Sequence, residues 1–195
     1  MKTINTPITK EYIINKSKFI TKLYPVLKKE EIDNILKELD REYKDATHIC
    51  YAYILETDKR ANDDGEPGGT AGMPILNVLE QKELNYILAV VIRYFGGIKL
   101  GAGGLVRAYS NSVSESITDN IITEVIPGII IELTYDYNNS KIIDNLIQNY
   151  NFITKSFNEK ITITIKIPEK DYENIKNILK EYCYNIIEKE RLYIY

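Results

Sequence analysis

The sequence predicts an α+β protein of two domains, on three observations. Every glycine but one lies between Gly65 and Gly104, in a first half rich in loops. The pair Pro127-Gly128 marks a turn after it. Beyond that turn the chain is dominated by isoleucine, asparagine, lysine and tyrosine, and its apolar positions switch between a period of two and a period near 3.6. The boundary is expected within 124–128, giving domains 1–126 and 127–195. A chain of 195 residues is long enough to build two small cores or one larger one.

In the first half, Glu11–Ile14 and Lys18–Val26 read as a hairpin turning at Asn15-Lys16-Ser17. Ile32, Ile35, Leu36 and Leu39 recur at helical spacing on a charged background. Thr47–Leu55 is β-branched and aromatic, hence a strand, and Glu56–Gly69 is polar and reads as a loop. A short helix is expected over Pro74–Gln81. Tyr86–Phe95 is an apolar run of strand length, expected to be buried on both faces. A glycine-rich loop, Gly96–Gly104, leads into a helix with Val106, Tyr109, Val113, Ile117 and Ile121 along one face.

In the second half, Ile129–Tyr135 alternates as a strand, and Ile142, Ile143, Leu146, Ile147 and Tyr150 form a helical stripe. Phe152–Phe157 and Lys160–Ile167 read as two strands joined at Asn158-Glu159. Tyr172, Ile175, Ile178, Leu179 and Tyr182 form a second stripe, and Ile186–Tyr195 a closing strand. The order β-α-β-β-α-β is the split βαβ or ferredoxin-like pattern.

Composition restricts function. The net charge of −3 supplies no bulk attraction to phosphate backbones, so a nucleic-acid contact needs a local basic patch. Cys50 and Cys183 lie outside metal-type spacings and read as packed side chains in a reducing compartment. The N-terminus has no apolar core of a signal peptide, and no apolar stretch nears the ~20 residues that span a bilayer. The expectation is a cytoplasmic protein.

Two segments concentrate unusual chemistry. In the run Asn62-Asp63-Asp64-Gly65-Glu66-Pro67, followed by Thr70, three carboxylates lie within four residues. They read as a cation site or polar ligand loop, or as a connector whose acids cap backbone amides. In the run from Arg93 through Gly96, Gly97, Lys99, Gly101, Gly103 and Gly104 to Arg107, a buried strand enters a glycine-rich loop and then a helix start. Amides at such a start carry partial positive charge, and glycines permit close approach, so an anion site is one reading and tight packing the other. The segment has neither a Walker ending nor a dinucleotide fingerprint, so no cofactor is expected. His48, the single histidine, has no nucleophile visibly paired with it, and one histidine with two distant cysteines gives no zinc set. Tyr182, Tyr184, Tyr193 and Tyr195 are the candidates for an exposed aromatic surface.

The runs Thr47-His48-Ile49-Cys50-Tyr51-Ala52-Tyr53, Asp63-Asp64-Gly65-Glu66-Pro67 with Gly69-Thr70-Ala71-Gly72 and Pro74, and Arg93-Tyr94-Phe95-Gly96-Gly97 with Leu100-Gly101 and Gly103-Gly104-Leu105 resemble the YigZ/IMPACT family. Ser17-Lys18-Phe19-Ile20 matches its opening motif, and Gly68 departs from it, where relatives more often carry alanine or serine. The resemblance implies a first domain like domain 2 of ribosomal protein S5. It implies a second, ferredoxin-like domain related in shape to a terminal domain of elongation factor G. The eukaryotic relative affects translation by competing for the activator of a kinase that phosphorylates an initiation factor, partly through an added N-terminal module. This sequence does not show that module, and the partner is not carried over.

The leading expectation is a non-enzymatic factor contacting RNA, the ribosome or a translation protein. The alternative is an enzyme or small-molecule binder in which the acidic and glycine-rich loops share a site. A concave pocket common to both loops favours the second, and a flat basic face of Lys18, Arg93, Lys99 and Arg107 favours RNA.

Overall fold

The structure is a computed structural model and describes residues 1–194. Two compact units comprise residues 1–124 and 125–194, and each mixes strands with helices.

Unit 1 contains β1 (Lys2–Ile4), β2 (Ile8–Ile14), β3 (Ser17–Pro25), α1 (Lys29–Glu42), β4 (His48–Ile54), β5 (Lys59–Asn62), α2 (Gly72–Gln81), β6 (Ile87–Tyr94), α3 (Gly101–Ser114) and β7 (Ile122–Glu124). An antiparallel sheet has the order β2-β3-β6-β4-β5, and β1 pairs with β7 apart from it. The β2–β3 hairpin turns on Asn15 and Lys16, at φ 46° and 65°, the positive-φ pair that matches the twist of two strands.

Central strand β6 is buried from Ile87 to Arg93 because helices cover both faces of the sheet. Ile87, Ala89 and Val91 share a core with Ile75 and Leu79 of α2 and Tyr109 and Val113 of α3. Leu88, Val90 and Ile92 alternate with them and share the other core with Ile32 and Leu39 of α1. Burying both faces thus turns a period-two element into a continuous apolar run.

Three details depart from the periodicity. The expected loop over 56–69 contains β5, which pairs with β4 from Tyr51 to Ile54. Its sequence, Lys-Arg-Ala-Asn, has no strand pattern, and an edge strand takes its register from its partner. Helix α3 begins at Gly101, inside the expected 96–104 loop. Its three glycines each cost about 1 kcal/mol against alanine, and burial of Leu105, Ala108, Tyr109 and Val113 outweighs them. The buried stripe of α3 includes Leu105, while Val106 is 38% exposed, because glycines at 101, 103 and 104 hide the start of the pattern.

Unit 2 contains β8 (Ile126–Tyr135), α4 (Ser140–Ile147), β9 (Asn151–Phe157), β10 (Ile161–Pro168), α5 (Glu169–Leu179) and β11 (Asn185–Ile194). Its antiparallel sheet has the order β11-β8-β10-β9. In β10, Ile161, Ile163, Ile165 and Ile167 are buried, and Thr162, Thr164 and Lys166 between them are only partly so. The isoleucines pack with Ile129, Ile131 and Leu133 of β8, Ile143 and Ile147 of α4, and Tyr172 and Ile175 of α5. The tyrosines expected to form an aromatic surface do not do so. Tyr184 alone of the described three is strongly exposed, and Lys160 Nζ lies 3.2 Å from its ring centroid, while Tyr182 and Tyr193 are half-buried. Tyr195 lies outside the described residues.

Candidate functional site

The acidic run between β5 and α2 is shaped by its own carboxylates. Asp63 accepts hydrogen bonds from the backbone N–H groups of Gly69 (2.8 Å), Ala71 (3.0 Å) and Gly72 (2.8 Å), so it closes the N-terminus of α2. Partial burial opposes its charge, but these three donors prevail and hold its pKa below the usual carboxylate range. Asp64, at φ 43°, accepts from the Ile49 amide at 2.6 Å, which ties the run to β4. Thr70 is buried and donates to the Pro67 carbonyl at 2.7 Å. Gly72 is required by close approach: a Cβ there would lie 2.5 Å from the Asn62 backbone nitrogen. Asp63, Asp64 and Thr70 therefore build the loop through hydrogen bonds to the backbone.

The remaining acid, Glu66, points inward and has a side chain 3% exposed. Its Oε1 accepts from Arg93 Nη1 at 2.5 Å and from Tyr109 Oη at 2.8 Å. Arg93 comes from the end of β6, and its guanidinium carbon sits 5.5 Å from the Phe19 ring centroid and 5.6 Å from that of Phe95. Arg93 Nε is buried with no hydrogen-bond partner among the described residues. Behind the pair, Cys50 Sγ lies 3.0 Å from the Asp63 carbonyl and 3.3 Å from Tyr109 Oη. Burial pushes the Cys50 thiol up to about 12 and also raises Tyr109, so both stay protonated at neutral pH.

His48, on β4, completes this wall. Its Nδ1 lies 2.7 Å from the Asp64 carbonyl oxygen. A carbonyl can only accept, so Nδ1 carries the hydrogen, and Nε2 of the neutral ring is a lone-pair acceptor. Nε2 stands 3.8 Å from Glu66 Oε2, beyond hydrogen-bonding distance.

These side chains open onto a cavity of about 360 Å³, lined also by Thr47, Pro67, Phe95, Lys99, Leu100, Gly101, Ala102 and Leu105. The acidic and glycine-rich runs therefore meet in one concave site, with His48, Glu66 and Arg93 on one side and Lys99 and the first turn of α3 on the other. Helix α3 has no side-chain cap and no acid in its first turn.

Several candidate residues lie outside the lining. Gly96 is packed against the β2–β3 turn, where a Cβ would meet the Lys16 carbonyl carbon at 2.0 Å. Gly97, Gly103 and Gly104 do not line the cavity, nor does exposed Arg107, further along α3. The flat basic face is not formed either. Arg93 is 5% exposed and paired, and Lys18 lies 3.8 Å from Glu11 and 5.2 Å from the Tyr94 ring centroid. Periodicity assigned Tyr109 to packing alone, and Phe95, Leu100 and Leu105 carry no chemical signature in sequence. Tyr109 was findable only as a hydroxyl on an otherwise apolar helix face.

A two-unit α/β protein with a small polar-bottomed pocket in its N-terminal unit is thus defined. Residues 15–117 match the family profile described as the Impact N-terminal domain. The sequence is 40% identical over 166 residues to the IMPACT family member YvyE of Bacillus subtilis (strain 168), covering 83% of this chain and 76% of that protein. It is 36% identical over 176 residues to an IMPACT family member of Haemophilus influenzae, covering 86% and 85%. A crystal structure of a hypothetical protein superposes over 97% of both chains with a TM-score of 0.62 at 27% identity. The chain belongs to the IMPACT family. No helix among the described residues is long and apolar enough to cross a membrane.

Proposed function

We propose that this chain is a translation-associated binding factor that holds a single anionic group of its partner in the unit 1 pocket, without transforming it. Family membership, and the effect of the eukaryotic relative on translation, support the association. The convergence of Lys99 and the uncapped start of α3 on one small cavity carries the binding mode. A concave site with one exposed lysine suits one inserted group better than a tracked nucleic-acid backbone, which several cations would have to follow. Binding is favoured over catalysis because Cys50 is sealed behind Glu66 as a thiol and His48 Nε2 engages no nucleophile. Unit 1 is read here as ribosomal protein S5 domain 2-like and unit 2 as ferredoxin-like, on the strand order 4-1-3-2 of its own elements. A cytoplasmic location fits this role.

Co-sedimentation with ribosomal fractions across a salt series tests the reading. Binding is expected to be lost in Lys99→Ala. The logarithmic salt dependence should have a slope near −1, the value for about one ionic contact. A slope several times steeper would indicate an RNA-backbone interface, and unchanged binding by Lys99→Ala would remove the pocket from the interaction. The cavity also favours a small-molecule ligand as a second reading. In that case small anions bind in a Lys99-dependent way while ribosomal fractions do not.

A further inference from the structure

Resting on the anion-binding reading of the pocket, we infer that its ligand is a carboxylate set beside an N–H donor on an apolar body. An apolar amino acid and the last residue of a polypeptide share this chemistry.

Charge comes first. Arg93 is neutralised by Glu66 at 2.5 Å, so Lys99 is the cation of the wall without an acidic partner among the described residues. One net positive charge above a buried carboxylate suits a monoanion. A phosphate monoester carries about −1.5 to −2 at neutral pH and would meet Glu66 at close range.

Two of the three helix starts of unit 1, those of α2 and α3, supply the second argument. At α2 the first amides are closed by a carboxylate, Asp63, through three N–H donors. At α3 no side chain does this, and Gly101 and Ala102 face the cavity. Glu66 adds an independent sign of an absent partner: its side chain is 3% exposed, it lines the same cavity, and its Oε2 stands beyond hydrogen-bonding distance of His48. A ligand carboxylate at α3 would repeat what Asp63 does at α2.

The opposite wall asks for a donor. His48 Nε2 and Glu66 Oε2 are two acceptors 3.8 Å apart with no hydrogen between them in the neutral ring. An amine placed between them donates an N–H to each, and an amide N–H supplies a donor to one of them. Pro67, Phe95, Leu100 and Leu105 supply the apolar surface for the body of the ligand. The cavity, about 360 Å³, is at the small end of ligand sites.

Calorimetry on the full chain tests this with four probes: the tripeptide Gly-Gly-Leu, its C-terminal amide, free leucine and inorganic phosphate. The tripeptide or free leucine is expected to bind. Amidation and, separately, Lys99→Ala should each weaken the tripeptide about ten- to a hundredfold, as for loss of a charged hydrogen bond. Tighter binding of the tripeptide identifies a chain terminus as the source, and equal or tighter binding of leucine identifies the free amino acid. Equal affinity for the acid and the amide would overturn the inference. So would Lys99-dependent phosphate binding with no carboxylate bound, which leaves the anion-pocket reading standing. If neither anion binds in a Lys99-dependent manner, both fall.

Discussion

The two units bury different things. All the buried polar and charged side chains among the described residues, Thr3, Ser17, Thr21, Glu66, Thr70, Arg93, Ser112 and Ser116, belong to unit 1. Unit 2 buries an apolar core that takes in Tyr135 and Tyr172, fed by alternation from Ile129 onward in β8 and along β10. Polar burial is costly unless each group finds a partner. Where it occurs as a connected set, Glu66 with Arg93 and Tyr109, it sits under an open pocket. The contrast locates function without any ligand in view: among the described residues, buried charge occurs in unit 1 alone, and it sits at the pocket.

The largest test of this contrast is removal of one partner of the buried pair. Glu66→Ala leaves Arg93 uncompensated and should cost unit 1 about 3–5 kcal/mol. Loss of hydrogen-exchange protection at the amides of β6 would report it. The double substitution Glu66→Leu with Arg93→Met should regain the larger part of that stability, because buried ion pairs exchange for apolar packing at little net cost. It should still abolish pocket binding. If the double variant is as unstable as the single one, the pair is needed for folding and its link to the pocket weakens. In unit 2 the comparable change is Ile163→Ala, expected to cost about 2–5 kcal/mol through the cavity left behind. Protection at the amides of β8 and β10 measures it. No ion pair is involved, so this loss should be independent of salt.

Legibility in sequence divides along the same line. The elements of unit 2 could be read from periodicity because each side chain answers to one neighbour layer, as the Ile161–Ile167 alternation shows. In unit 1, β6 was legible as a doubly buried run, but β5 was not, since Lys59–Asn62 is a strand only through its pairing with β4. The pocket was half legible. Spacing singled out Glu66, Arg93, Lys99 and Gly101, but it could not separate Glu66 from Asp63 and Asp64, which stand three and two residues before it and face backbone amides instead. That division is made by tertiary contacts: Arg93 Nη1 and Tyr109 Oη select Glu66, and the start of α2 selects Asp63.

Asp63 gives a smaller effect with a defined pH sign. Its pKa in the folded chain is depressed, so its contribution is fully present above the unfolded value. That contribution is lost as pH falls through the folded value, below about 4. Asp63→Asn should cost about 1–2 kcal/mol at pH 7, the scale of a helix cap. The difference between wild type and variant should shrink in acid. A difference that stays constant from pH 7 to pH 3 would mean that charge plays no part in closing α2.

The smallest expected effect is the most discriminating for unit 2. Thr164 lies between buried Ile163 and Ile165, on the face of β10 opposite their core, and pairs across to Glu132 and Thr154. If unit 2 is held by its isoleucine layer alone, Thr164→Ala should change stability by no more than about 0.5 kcal/mol, as for an ordinary surface position. Any larger loss, read as reduced protection of the β10 amides, means that the cross-strand pairs of Thr164 with Glu132 and Thr154 also hold the sheet. The side chains that stabilise unit 2 would then lie on both faces of its sheet, and its isoleucine layer would not suffice. A null result at Thr164 together with a large one at Ile163 confines the stabilising side chains of unit 2 to one face of its sheet.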